Sequence, residues 1–313
     1  MNTTTVVRKA TRHGLPDKYK LFLMALPFIL LVLVFSYGPL FGWAYAFFDY
    51  RPGIPLDAQS FVGLKWFQTL ISSPVQRQEV IRVMTNTIVM SLLNIACSVL
   101  PVAFAVFLSE IKVGWYKKTV QILTTLPNFI SWVLVYSFAY ALFNTNNGFI
   151  NMLMKSLGVL ERPINFLASP DHIWLKMCLW HIWKTLGWSS IMYLAAIAGI
   201  DQELYEAARI DGAGRFQVIW HITIPGIMET YFVLLLLSIA NFISNGMEQY
   251  FVFQNPMNRN KIEVLDLYVY NIGLGGGSFS YATAVSILKS IVSLTLLFVA
   301  NGLSKVIRGN TIL

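Results

Sequence analysis

Charge is scarce in this chain. Only 12% of its 313 residues are Asp, Glu, Lys or Arg, about half the ~25% usual in soluble domains, which excludes an ordinary soluble fold. Cysteine is scarcer still. The only two, Cys97 and Cys178, lie in or beside apolar stretches without metal-ligand spacing, so they read as small buried hydrophobes and no disulfide framework is implied. The four histidines, His13, His172, His181 and His221, show neither H-E-x-x-H nor any other ligand spacing, so no metal site is expected. No G-x-x-x-x-G-K-[ST] occurs, which excludes a P-loop for nucleotide phosphates. The glycine run at 273–277 is followed by no lysine and reads as a hinge or loop. Nothing favours a Ser-His-Asp site. The expectation is a chain that is not itself an enzyme and binds no cofactor.

What is present is apolar. Hydrophobic residues make up 56% of the chain and the mean hydropathy is +0.60. Uninterrupted runs are long enough to cross a bilayer as helices. The predicted class is therefore all-α integral membrane, with one helical domain over residues 21–307. The net charge of +8 is gathered in short segments beside those runs, where basic residues set topology; it does not point to nucleic acid.

Six spans are predicted: Leu21–Phe48, Arg82–Glu110, Thr119–Phe143 kinked at Pro127, Ile173–Ile200, Thr230–Phe253 and Tyr281–Ile307. The first is too long for a signal-peptide core and lacks a small-residue cleavage site. It follows a basic tail, residues 1–20, and a short tail, 308–313, closes the chain. Segments 49–81, 144–171 and 254–277 read as outer loops. Twelve Lys and Arg fall on the side of the N-terminus and seven in the longer opposite loops. This density places both termini in the cytoplasm.

One polar segment between spans, 201–229, has its own design. Asp201 and Glu203 suit a helix N-terminus. Gly212 and Gly214 break that helix, and Phe216, Ile219 and Ile222 suggest a short second helix before Pro225. Between them Ala207, Ala208, Gly212 and Ala213 leave room for a close partner. The predicted shape is helix, bend, helix, presenting a socket.

The spacing of Glu206-Ala207-Ala208, Gly212, Ile222 and Pro225 resembles the EAA loop of ABC-importer permease subunits. Ile224 stands where that family usually has Leu, an aliphatic exchange of equal size. Asp211 and the residues preceding Glu206 resemble the sugar-importing branch. The resemblance implies the six-span permease fold in a bacterial cell membrane. It implies a sister permease subunit, an extracytoplasmic solute-binding protein, and two cytoplasmic ATPase subunits that bind ATP and Mg and dock on Glu206, Ala207, Ala208, Asp211, Gly212, Ile222 and Pro225. The expected function is half of a translocation path for an oligosaccharide or polysaccharide fragment.

Polar residues inside the spans are the candidates for that path. Ser238, Asn241, Asn245 and Glu248 share one face of a continuous fifth helix. Thr283, Ser286, Ser290 and Ser293 make a stripe on the sixth with Lys289 beside them, and Thr87, Ser91, Asn94 and Ser98 make one on the second. A charge at the bilayer centre costs roughly 2.5–3.5 kcal/mol, so Lys289 should face water or a partner, with Glu248 a candidate partner. Lys184, which could instead snorkel to the interface, and Trp188, which could anchor there, complete the set. Lysines along the path would suit an acidic solute. The other reading of the hydroxyl stripes is interhelical hydrogen bonding. Two other functions remain open: an ion-coupled secondary transporter, and a membrane assembly or sensor subunit without transport.

Overall fold

The computed structural model describes residues 16–308. Most of the predicted basic tail, 1–15, and the last residues, 309–313, lie outside the described residues. Helices dominate, and no strand occurs among the described residues. α1 (Asp17–Val32) runs on through Leu33–Tyr37 and Gly38–Phe47 as one apolar rod, Lys18–Phe47, none of whose apolar window is buried against the rest of the protein. Its exposed Leu, Phe and Val side chains suit lipid.

The remaining helices are α2 (Lys65–Ser72), α3 (Pro74–Ala96), α4 (Val99–Ser109), α5 (Gly114–Thr125), α6 (Trp132–Phe143), α7 (Phe149–Ser156), α8 (Ile173–Ala198), α9 (Gln202–Ile210), α10 (Arg215–Val218), α11 (Ile224–Ala240), α12 (Glu248–Phe253), α13 (Arg259–Ile262), α14 (Leu265–Tyr270) and α15 (Phe279–Arg308). Four unbroken stretches are long and apolar enough to cross a membrane: Lys18–Phe47, Pro74–Ser109, Arg215–Ala240 and Phe279–Gly302. A fifth candidate is the pair Gly114–Phe129 and Trp132–Phe143, bent by 106°. α8 has the length, 26 residues, but Lys176, His181 and Lys184 keep it polar.

The 106° bend falls at Ile130–Ser131, three residues past the expected kink at Pro127, which lies inside the short helical turn Leu126–Phe129 leading into it. The helix ends there in extended backbone, so the carbonyls of its last turn have no helical partner beyond it. Lys184 supplies the replacement. Its buried ammonium donates to the carbonyls of Pro127 (3.2 Å), Asn128 (2.8 Å) and Ile130 (2.7 Å) and lies 5.4 Å from the Trp132 ring centroid. α8 meets α5 closely nearby: a Cβ on Gly187 would collide with the Thr124 backbone.

Two expectations fail here. The outer loop expected at 254–277 is in large part core. Ile262, Glu263, Val264, Leu265, Leu267 and Tyr268 are all buried, and the glycine run begins as a widened helical turn, Asn271–Gly275, that continues α14, with Gly273 against Ala282. Glu263 organises this connector. Its carboxylate accepts from Arg82 (2.7 Å), Asn271 (2.6 Å) and Arg259 (3.5 Å). Asn86 Nδ2 meanwhile donates to the carbonyls of Asn260 and Glu263 at 3.0 Å. Burial alone would push the Glu263 carboxyl up; the bonds from Arg82 and Asn271, with the charges of Arg259 and Arg82, outweigh it and hold it below the usual carboxylate range. The segment 49–81 likewise contains α2 and the first turns of α3, whose N-cap is Ser73.

The second failure is the continuous fifth helix. α11 stops at Ala240, residues 241–247 are irregular with Gly246 at φ 71°, and α12 restarts at Glu248. Asn, Ser and Gly are weak helix formers, and here side chains from other helices hold the freed backbone. Asn245 Nδ2 donates to the Thr87 carbonyl at 3.3 Å, the Ser91 hydroxyl reaches the Phe242 carbonyl, and the Gly246 N–H donates to Asp266 Oδ2 at 2.9 Å.

Candidate functional site

The predicted helix–bend–helix is present. Asp201 caps α9 by accepting from the Glu203 N–H at 3.0 Å. At the other end the Ala213 N–H reaches the Ala208 carbonyl (2.9 Å) and the Gly212 N–H the Arg209 carbonyl (3.1 Å). Gly212 has φ 76°, the left-handed terminus for which glycine is suited. Glu206, Ala207, Asp211, Gly212 and Pro225 are exposed, and Ala208 and Ile222 half-buried. A Cβ on Gly212 would meet nothing within 4 Å, so the bend borders open space.

The second arm differs from the expectation. It does not end at Pro225 but runs helically from Arg215 to Ala240 through a widened turn at Ile219–Thr223. The extra residue in that turn accommodates a proline that has no N–H to give and whose ring crowds the His221 carbonyl. The bend is therefore one turn of helix away from a spanning rod. Tyr205 OH and Thr223 Oγ1, 3.1 Å apart, tie the arms together, and Arg215 bridges to Glu110 at 3.3 Å. Sequence reading missed the apolar rim. Ile210 and Phe216 are 87% exposed and Trp220 69%, the signal being large apolar residues in an otherwise polar segment.

At the far end of the same rod two cavities meet around the break. The first, about 530 Å³, is lined by Asn94, Trp188, Asn241 and Asn245, with Ser91 and Ser98. The second, about 540 Å³, is lined by Asn241, Ser244, Asp266, Ser286, Lys289, Ser290 and Ser293. Both are within the usual range for small-molecule sites. Asn94 Oδ1 at the first and Ser293 Oγ at the second are buried without a hydrogen-bond partner among the described residues. Such groups are expensive to leave unpaired and suit a ligand rich in hydroxyls. Cys97 and Cys178 face each other at the edge of the first cavity, sulfurs 3.7 Å apart.

Of the path residues predicted from helical faces, Asn94, Trp188, Asn241, Asn245, Ser286 and Lys289 thus reach a cavity. Lys184 does not: its ammonium caps the third-span bend rather than snorkelling or facing a path. Glu248 lines neither cavity and is exposed, because the helix breaks before it and ends the register that aligned it with Asn241. Lys289 pairs with Asp266, not Glu248. Asp266 was hidden within the segment read as an outer loop. The hydroxyl stripes divide between the two readings. Thr87 accepts from the Leu265 N–H at 2.8 Å and Ser98 meets Tyr231 OH at 3.2 Å, as interhelical bonds, while Ser286, Ser290 and Ser293 line a cavity.

Broken spans around cavities that set amides and hydroxyls among apolar side chains, with an exposed arm on one spanning rod, define a multi-pass membrane protein. Residues 102–309 match the family described as binding-protein-dependent transport system inner membrane component. The chain is 40% identical over 290 residues to the polygalacturonan/rhamnogalacturonan transport system permease protein YteP of Bacillus subtilis (strain 168), covering 92% of this chain and 88% of that one. It is 38% identical to protein LplB of the same organism, covering 92% and 89%. Its fold superposes with a TM-score of 0.83, at 32% identity and over 93% of this chain and 97% of the other, on a bacterial ABC transporter involved in the import of the acidic polysaccharide alginate. The chain belongs to the binding-protein-dependent transport family and is an ABC-type sugar permease.

Proposed function

We propose that this chain is one transmembrane subunit of a bacterial ATP-driven importer, crosses the membrane six times with both termini in the cytoplasm, and forms half of the path for an acidic oligosaccharide. A sister permease supplies the other half. Two ATPase subunits, carrying the ATP and Mg, dock on the arm at Glu206–Gly212, and an extracytoplasmic binding protein delivers the solute. A neighbouring solved structure, the alginate transporter with an oligosaccharide-bound periplasmic protein, supports that last partner. Six spans follow if the bent pair at 114–143 and the polar α8 each cross. The contact of Arg215 with Glu110 supports a common side for the docking arm and the lysine-bearing turn at 112–118.

The observation that carries this reading is continuity. The arm is tied across its glycine bend to the rod Arg215–Ala240 by the Tyr205–Thr223 contact, and the cavities lie at the other end of that rod, so a push on the arm is carried to the wall of the path. The case for an acidic solute rests less on a surplus of lysine than on the relatives, since Lys184 is structural and Lys289 has its own counter-ion. The test is cross-linking from a cysteine at Ala207 in membranes containing the assembled transporter. Capture of a P-loop ATPase at that position is expected. A well-folded chain with no ATPase at the arm would overturn the reading and favour ion-coupled transport. Uptake of neutral but not acidic oligosaccharides by the wild-type assembly would overturn the substrate class alone.

A further inference from the structure

The second cavity contains an arrangement the path reading does not require. Asp266, on α14, uses its two carboxylate oxygens on two different elements. Oδ2 accepts from the N–H of Gly246, in the break of the fifth span, and Oδ1 pairs with the Lys289 ammonium on α15. The pair is only about one-fifth exposed, 20% for Lys289 and 18% for Asp266, so solvent screens it less than a surface bridge. Gly246 stands at φ 71°, within the irregular segment 241–247 between α11 and α12. The carboxylate therefore straps the break to the sixth span. The wall around it sets serine hydroxyls among aliphatic side chains: Ser286 and Ser290 donate to carbonyls of their own helix and keep lone pairs free, and Ser293 Oγ has no partner among the described residues.

We propose that Asp266 is a latch on the fifth-span break, and that a ligand carboxylate entering the second cavity opens it by taking Lys289 in Asp266's place. This rests on the reading of the cavities as a path for an acidic saccharide. Asp266 presents to Lys289 the same group that a uronate sugar carries, so the exchange replaces one charge-assisted bond by an equivalent one. The ligand adds what Asp266 cannot, hydroxyl contacts to Ser286, Ser290, Ser293 and Asn241. Once Lys289 is engaged elsewhere, the break stays held to α3 and α14 but loses its strap to α15, which loosens α11 against the sixth span. A neutral saccharide makes the hydroxyl contacts but leaves the latch closed. Asp266 is on this view a positioning residue, and Lys289 a determinant of specificity.

The test uses the complete transporter in membrane vesicles, with Cys97 and Cys178 replaced by alanine and Ser244→Cys, at the wall shared by both cavities, as a reporter labelled by a maleimide. Trigalacturonate is the acidic probe and maltotriose the neutral one. Trigalacturonate is expected to speed labelling several-fold and maltotriose to leave it unchanged. Lys289→Gln should label fast without ligand and lose the response, and Lys289→Arg should restore both, which a merely structural lysine would not require. An unchanged labelling rate with trigalacturonate in vesicles that import it would overturn the proposal, as would a Lys289→Gln variant that still responds. Vesicles that import neither sugar, yet label fast only as Lys289→Gln, would overturn the importer reading and support the latch.

Discussion

The segments 201–225 and 254–277 look alike in sequence: each is a polar connector between apolar runs. In the protein they are opposites. The first stands out from the bundle with Glu206, Ala207 and Gly212 exposed, and the second is folded into the core with Glu263 and Val264 at 0% exposure. A polar stretch is thus compatible with a surface for a partner or with a buried network. What separates them is whether other helices offer groups to satisfy the carboxylate. Arg82, Asn271 and Arg259 do so for Glu263; among the described residues no comparable set surrounds the exposed Glu206.

The sharpest way to break this contrast is to truncate the two carboxylates. Glu263→Ala removes the buried acceptor shared by Arg82, Asn271 and Arg259. It leaves Arg82 only Glu79 and two carbonyls and Asn271 only a long bond to Gln254. Breaking a buried charged network of this kind costs about 3–5 kcal/mol. The expected result is loss of folded, membrane-inserted protein, read by yield after detergent extraction and by thermal unfolding of what remains. Glu206→Ala should leave stability within about 0.5 kcal/mol. Equal loss in both variants would mean that the arm too is structural.

Lys184→Met is next in size. It keeps the length of the side chain and removes the donor for three carbonyls around the third-span bend. Leaving such groups unsatisfied costs about 1–3 kcal/mol, so the unfolding temperature should fall while any residual uptake keeps its specificity. A changed preference between acidic and neutral sugars in Lys184→Met would return this lysine to the path.

These cases show what was legible in the sequence. Asp201, Glu206 and Gly212 were readable because a helix cap, a spacing and a left-handed terminus are local devices, complete within a few residues. Pro127 marked the neighbourhood of the third-span bend for the same reason, but neither its place at Ile130–Ser131 nor the lysine that compensates it, 54–57 positions away, was readable. The break after Ala240 was missed because a helical period continues smoothly through Asn241, Asn245 and Glu248. Only Thr87, Ser91 and Asp266, from other elements, make the irregular backbone affordable. Asn241 and Asn245 reached a cavity all the same, as the lining of a break and not as one face of a helix.

Acid should affect the two connectors differently, and less than either substitution. Glu263 titrates below its ordinary value in the folded protein, so it contributes stability that is full above the unfolded carboxyl value, about pH 4.3. That contribution fades as pH falls through the lower folded value. Unfolding temperatures in detergent should therefore drop below about pH 4.3 in the wild type. In a Glu263→Gln variant that still folds, part of this acid sensitivity should be missing. An identical acid profile in the two would show that the Glu263 network does not hold the connector.

Gly212→Trp is a small change in stability and a large one in function. The backbone at φ 76° disfavours any side chain there, at about 1 kcal/mol, and the surrounding space is open, so the bundle should insert and fold almost normally. The indole would then occupy the room into which an ATPase knob is proposed to fit. Loss of one central contact of that kind is worth about 2 kcal/mol, or roughly thirtyfold in affinity. The assembly should bind solute yet show uptake and substrate-stimulated ATP hydrolysis reduced together, with cross-linking from Ala207 weakened in proportion. Wild-type coupling in a folded Gly212→Trp assembly would empty the socket of its meaning and shift the docking surface to the apolar rim of Ile210, Phe216 and Trp220. Substitution of those three by serine would then produce the loss that Gly212→Trp did not.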